Sequence, residues 1–75
     1  MREMVEYIAK CLVAEPDQVE VREEINDGRV IITLRVAESD KGKVIGREGR
    51  VAESIRALLR VAAVKKNTRV TLEIE

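Results

Sequence analysis

The sequence predicts a single α+β domain spanning residues 1–75, with its elements in the order α-β-β-α-α-β. Three observations carry this prediction. Apolar residues recur at helical spacing in two stretches. In three shorter, strand-like stretches, apolar residues alternate with polar ones or follow one another directly. A tight-turn signal separates the first two strand-like stretches. A chain of 75 residues can form one compact core but is too short for a two-domain enzyme with a deep cleft.

The first predicted helix covers residues 2–14 and carries one apolar stripe. The stripe consists of Met4, Val5, Ile8, Cys11 and Leu12. Pro16 ends the helix, because proline lacks the amide that helix continuation needs. Cys11 is the only cysteine, and its place on the stripe predicts a buried, inert thiol.

Two strands are predicted to follow as an antiparallel hairpin. Val19, Val21 and Ile25 share the two-residue period of a strand, and Asn-Asp-Gly at positions 26–28 is a tight-turn signal. The run from Val30 to Val36 is the strongest strand of the chain. Its nearly continuous apolar character suits the centre of a sheet.

A short helix and a long helix are predicted next, joined by a glycine-containing turn. Ser39 or Asp40 can cap the short helix, which runs to about Ile45. The long helix covers residues 50–64, with Lys65 and Lys66 in or near its last turn and Asn67 as the C′ residue. Its expected core stripe is Val51, Ile55, Leu58, Leu59 and Ala62.

The final strand alternates apolar and polar residues, with Val70, Leu72 and Ile74 on one face. The helical pair is long enough to carry the chain over the sheet, so the third strand can lie parallel to the second. The sequence therefore predicts a mixed three-stranded sheet in the order first, second, third. Three helices pack on one face of this sheet, and the last strand forms an edge.

The stretch most informative for function is residues 43–50, Lys-Val-Ile-Gly-Arg-Glu-Gly-Arg. Glycine permits positive φ and close approach to another chain, because it has no Cβ. The turn Gly46–Gly49 can therefore press its amides and Arg47 against a sugar–phosphate backbone. Taken alone, Gly-x-x-Gly is most often a simple turn, here a helix–helix corner in which glycine avoids a clash.

Charge is unevenly distributed along the chain although the net charge is zero. Residues 1–40 hold five basic and ten acidic side chains, whereas residues 41–75 hold nine basic and four acidic ones. Such asymmetry is typical of a face that binds a polyanion, and ordinary solvated charge is the alternative.

The composition excludes several kinds of site. With no histidine and one cysteine, the chain lacks the usual zinc ligands, an intrachain disulfide and the commonest general base. We expect no catalytic residue, no metal and no cofactor, since a phosphate-binding Gly-x-x-x-x-Gly-Lys-Ser/Thr loop is also absent. Tyr7 is the only aromatic residue, so binding modes that stack bases on aromatic platforms are excluded. The absence of a signal-peptide core or a long apolar run predicts a cytoplasmic protein with no membrane partner.

The motif in its context resembles a known family. Val44 and Ile45 precede the turn, Arg50 follows it, and the turn joins two helices inside β-α-α-β. This constellation resembles the type II KH domain over essentially the whole chain. It is closest to the small bacterial single-KH-domain RNA-binding proteins of the KhpA type, which also begin with a helix and a turn like Ala-Glu-Pro-Asp at positions 14–17.

The resemblance implies an RNA chaperone or post-transcriptional regulator that clamps about four nucleotides of single-stranded RNA. Bases would lie in an apolar groove lined by Val44, Ile45 and Ala52, facing the last strand and the loop after the long helix. Either Val44 or Ile45 is expected in the core and the other in the groove. The expected RNA-binding residues are Lys43, Val44, Ile45, Gly46, Arg47, Glu48, Gly49, Arg50, Lys65 and Lys66. Glu48 could weaken binding near a phosphate, or stabilise the N-terminus of the next helix as an acidic residue.

The long helix carries a second apolar stripe that one core face does not explain. It consists of Ser54, Ala57, Val61 and Val64, and we call it the outer stripe. Val61 and Val64 are unfavourable in an exposed helix, because β-branched side chains lose freedom there and leave apolar surface in water. The stripe predicts a homodimer through this helix. The family resembled also pairs with a larger KH-containing RNA-binding protein, so a scaffold subunit with a vestigial RNA groove is the alternative function.

Overall fold

The chain adopts the predicted α+β order in a computed structural model that describes residues 1–75. The helices and strands are α1 (Arg2–Leu12), β1 (Glu20–Asn26), β2 (Arg29–Arg35), α2 (Lys41–Ile45), α3 (Arg50–Lys65) and β3 (Arg69–Ile74). Short 3-10 turns precede β1, α2 and α3. None of the helices combines the length and the apolar character that crossing a membrane requires.

The sheet has the predicted order β1-β2-β3, with β1 antiparallel and β3 parallel to β2. Only Asp27 and Gly28 separate the register pair Asn26 and Arg29, and their φ angles are 51° and 75°. Two positive φ angles give the hairpin a twist that matches the twist of its strands. The Asn-Asp-Gly signal is thereby confirmed as the turn that fixes the register.

The core lies between the sheet and the helices. Val30, Ile32 and Leu34 alternate along β2 and are buried. They meet residues of α1 and α3 in one cluster that includes Val5, Ala9, Ile55 and Leu59. Complete burial of a side chain such as Ile32 or Leu34 contributes about 1.5–3 kcal/mol relative to exposure.

The end of α3 confirms the predicted role of Asn67, which has a φ of 53°. The Asn67 N–H donates to the Val64 carbonyl at 3.1 Å, and the Thr68 N–H donates to the Ala63 carbonyl at 2.9 Å. These two bonds form a Schellman motif, which ends α3 and turns the chain into β3. The Thr68 hydroxyl also donates to the Gly28 carbonyl, so the α3–β3 loop is fastened to the hairpin turn.

The prediction that Cys11 is buried is wrong, because its side chain is exposed. Helix α1 contacts the sheet through Val5 and Ala9, which are both fully buried. At 3.6 residues per turn, Cys11 lies roughly 140° around the helix from the direction of these two residues. The actual stripe is therefore rotated away from the predicted one.

The core stripe of α3 is also displaced from the predicted one. Ile55 and Leu59 are buried as expected, but the other buried positions are Ala52 and Ala63. Leu58, which was expected in the core, is 50% exposed. Ile55 and Leu59 belong to the core cluster, and Ala52 and Ala63 are buried on the same side of the helix.

Candidate nucleic-acid interface

The Gly-x-x-Gly loop, Gly46–Gly49, forms the corner between α2 and α3. Gly46 follows the end of α2 with φ 78° and ψ 172°, and Gly49 precedes α3 with φ 75° and ψ 13°. Glu48 also has a positive φ, of 58°. Three residues with positive φ within four positions turn the chain sharply, and they place the N-terminus of α3 beside the loop.

The two glycines of the loop have different physical roles. A Cβ at Gly46 would lie 2.8 Å from the backbone nitrogen of Val51, so the fold itself requires glycine there. A Cβ at Gly49 would meet nothing within 4 Å. The open approach that the motif predicts for another backbone is therefore found at Gly49, whereas Gly46 accommodates the start of α3.

The basic side chains of the loop differ in their partners. Lys43 Nζ lies 3.4 Å from Asp40 Oδ1, and Arg50 Nη2 lies 3.5 Å from Glu48 Oε2. Arg47 is exposed and forms none of the seven ion pairs of the chain. Arg47 is thus the loop cation whose charge is fully available to a ligand. Glu48 is exposed beside Arg50, immediately before α3.

Asp40 is the only buried polar or charged residue, at 1% exposure. Its carboxylate makes no capping bond to α2 and instead accepts the N–H of Ala14 at 3.2 Å and of Glu15 at 3.1 Å. Burial acts to raise the pKa of Asp40, but the two N–H bonds and Lys43 together hold that pKa below its usual value. Asp40, one of the two residues expected to cap α2, is therefore a clamp that links α2 to the segment after α1.

The structure distinguishes the two apolar residues that precede the loop. Val44 is fully buried in the core, whereas Ile45 is 39% exposed beside the loop. Ala52, expected to line the groove, is only 3% exposed and faces the core. Of the three apolar residues assigned to the groove by resemblance, only Ile45 presents surface to a ligand.

A groove runs between α3 and the free edge of β3. Its lining residues are Arg56, Leu59, Arg60, Val70, Thr71 and Leu72. Arg56 Nη2 donates to the Leu72 carbonyl at 3.5 Å, and Glu53 pairs with both Arg56 and Arg60. Sequence reasoning missed the two arginines. The available signal was their i, i+4 spacing: each arginine directly follows a core residue, Ile55 or Leu59, so both lie on one side of α3 next to the core face.

Lys65 and Lys66 lie outside this groove. Both are exposed at the C-terminal end of α3, and neither lines the depressions between α3 and β3. The basic residues that face β3 from the helix are instead Arg56 and Arg60.

The outer stripe of α3 is exposed along its whole length. Val61 is 58% and Val64 is 78% exposed, and Leu58 adjoins them at 50%. The stripe lies on the side of α3 opposite to Ile55 and Leu59, so no element of the same chain covers it.

The element order, the mixed sheet and the Gly-x-x-Gly corner between two helices define a type II KH domain. The sequence profile of the family described as KhpA/KhpB, KH domain, matches residues 2–74. The chain therefore belongs to the KhpA/KhpB family of KH-domain proteins.

Several relatives cover almost the whole chain. The RNA-binding protein KhpA of Caldanaerobacter subterraneus subsp. tengcongensis is 51% identical over 74 residues. The proteins of the same name from Clostridium acetobutylicum and Clostridium perfringens are 49% and 46% identical. Each comparison covers 99% of this chain and 99% of the relative. Among solved structures, Aquifex aeolicus Era bound to GDP and AlF4⁻ has a similar fold, with a TM-score of 0.61 and a sequence identity of 24%. The match covers 97% of this chain and 28% of the Era chain.

Proposed function

We propose that this chain binds single-stranded RNA through the Gly-x-x-Gly loop and the α3–β3 groove, without catalysis, as an RNA chaperone or post-transcriptional regulator in the cytoplasm. The observation that carries the proposal is the unpaired Arg47 beside the open backbone at Gly49. The relatives named as RNA-binding proteins support it. A phosphate at this loop would meet the Arg47 guanidinium and the free amides at the N-terminus of α3.

The groove supplies contacts for the bases. β3 is an edge strand, so one side of its backbone offers N–H and carbonyl groups that no strand pairs. Arg56 and Arg60 face this edge and can hydrogen-bond to bases or to phosphates. No aromatic residue lines the groove, and we therefore expect one domain to bind weakly with little sequence preference.

The test is a salt titration with a short unstructured RNA. If Arg47 and its neighbours neutralise about three phosphates, the slope of log affinity against log salt on single strands should be about −2. A duplex of the same length should bind more weakly, because its bases cannot enter the groove. Equal or tighter duplex binding, or affinity that does not change with salt, would contradict the proposal.

We also propose that the outer stripe forms a homodimer interface. Its side chains are small, so two copies of α3 can approach closely about a two-fold axis, and burying Val61 and Val64 removes apolar surface from water. The same face is then available to a related KH-domain partner, as the family description KhpA/KhpB suggests. The uncovered stripe favours a scaffold subunit with a vestigial RNA groove as the second candidate function.

Replacing Val61 by glutamate should convert the dimer into a folded monomer, because two carboxylates would face each other across the axis. Sedimentation equilibrium measures the change, and circular dichroism confirms folding. Glu3→Gln, at an exposed position of α1, serves as the control and should stay dimeric. A wild type that is monomeric at high concentration, or a Val61→Glu variant that remains dimeric, would rule out this interface.

A further inference from the structure

Two arginines lie side by side at the start of the parallel strand pair. Arg29 of β2 and Arg69 of β3 are register partners, and both are exposed. Neither forms an ion pair within 4 Å. Like charges directly opposite each other on neighbouring strands destabilise a sheet. The fold alone gives no reason for this pair.

The surface around the pair continues the α3–β3 groove. Arg29 and Arg69 line a depression together with Arg60 and Thr68, and Val64, the last residue of the outer stripe, borders it. This depression shares Arg60, Val70 and Thr71 with the groove, so the two form one path along β3. No acidic residue lines either part of the path.

The same pair borders a second depression at the hairpin turn. Its lining residues are Asp27, Gly28, Arg29, Asn67, Thr68 and Arg69. The bond from the Thr68 hydroxyl to the Gly28 carbonyl joins its two walls. Asp27 is the one acid there, and it pairs with neither arginine. The two arginines therefore lie where a hydrogen bond holds the hairpin turn to the α3–β3 loop, and Thr68 and Asn67 line the same depression.

We propose that Arg29 and Arg69 form a second phosphate-binding site, which holds the RNA backbone where it leaves the groove at the end remote from the Gly-x-x-Gly loop. Two guanidinium groups match the planar, bidentate geometry that phosphate oxygens accept, and a bound phosphate removes their mutual repulsion. The inference rests on the proposed function. The site lengthens the stretch of RNA that the domain contacts, because Arg69, at the start of β3, lies three residues or about 10 Å from Leu72 in the groove.

The extra length makes the site testable with oligonucleotides. The Gly-x-x-Gly loop and groove accommodate about four nucleotides, so oligo(U) of four nucleotides should not reach Arg29 and Arg69, whereas oligo(U) of ten should. Changing both arginines to glutamine should leave tetramer affinity within about two-fold. The same change should lower the affinity for the decamer by about five-fold or more. The slope of log affinity against log salt for the decamer should become shallower by ~0.7 per lost phosphate contact.

Two further double variants sharpen the test. Arg22→Gln with Arg35→Gln removes two exposed charges from the same sheet outside this path, and decamer binding should change little. Arg29→Lys with Arg69→Lys keeps the charges and should retain much of the decamer affinity. Thermal unfolding of the glutamine variant should show no loss of stability, since it removes only repulsion.

The outcomes separate this inference from the proposed function. If the glutamine variant binds both oligonucleotides like wild type, or if the control pair weakens the decamer equally, the second site is overturned while loop binding stands. If the glutamine variant unfolds, the pair has a structural role and the inference is wrong. If wild type binds neither oligonucleotide, the proposed function fails and this site fails with it.

Discussion

Changing Arg47 and Glu48 together to aspartate should abolish RNA binding while the domain stays folded. Arg47 is the loop cation without an ion-pair partner, and the change places two carboxylates where a phosphate would lie. The fold should tolerate the change, because Gly46 and Gly49 remain. Aspartate is also accepted in the left-handed conformation that position 48 adopts, and acidic residues suit the N-terminus of α3.

The measurement is fluorescence anisotropy with oligo(U) of ten nucleotides at moderate salt, where we expect an affinity loss of about 100-fold or more. The chain contains a matched control, because Arg2 and Glu3 repeat the Arg-Glu pair at an exposed site in the first turn of α1. Arg2→Asp with Glu3→Asp makes the same charge change and should leave binding nearly intact. A folded loop variant with unchanged affinity would remove this loop from the site.

The sequence predicted the elements well where the signals are local. The period of apolar residues gave the helices and strands, and Asn67 and the Asn-Asp-Gly turn marked where the chain reverses. The parallel pairing of β2 and β3 followed from the length of the connection between them. Apart from this pairing, each of these inferences depends on residues within one turn or one strand of each other.

The features that sequence reasoning missed depend on residues far apart in the chain. Ser39 or Asp40 was expected to cap α2, but the Asp40 carboxylate accepts the amides of Ala14 and Glu15, more than twenty residues away. The pairing of Arg29 with Arg69 requires the register of β2 against β3, which no local pattern supplies. The exposure of Cys11 depends on the rotation of α1 against the sheet, and several apolar side chains on that helix could have faced it.

Replacing Asp40 by alanine should lower the melting temperature strongly. The buried carboxylate satisfies two backbone N–H groups that nothing else in the chain accepts, and its loss leaves both without a partner. The substitution also removes the link between α2 and the segment after α1, since no other side-chain hydrogen bond joins these parts of the chain. We expect a decrease of roughly 10 °C at neutral pH, measured by thermal unfolding. Asp17→Ala, at an exposed site without a side-chain hydrogen bond or ion pair, should change little.

The pH dependence tests the cause of that loss. Because the folded state holds the pKa of Asp40 below its usual value near ~4, the ionised carboxylate stabilises the fold fully above that value. This stabilisation is lost as pH falls through the lowered pKa. The difference in stability between wild type and Asp40→Ala should therefore be constant from neutral pH down to about pH 5, and it should narrow at more acidic pH. A stability difference that stays the same at low pH would show that Asp40 contributes by packing alone. A variant as stable as wild type at neutral pH would show that the Asp40 hydrogen bonds to Ala14 and Glu15 do not stabilise the fold.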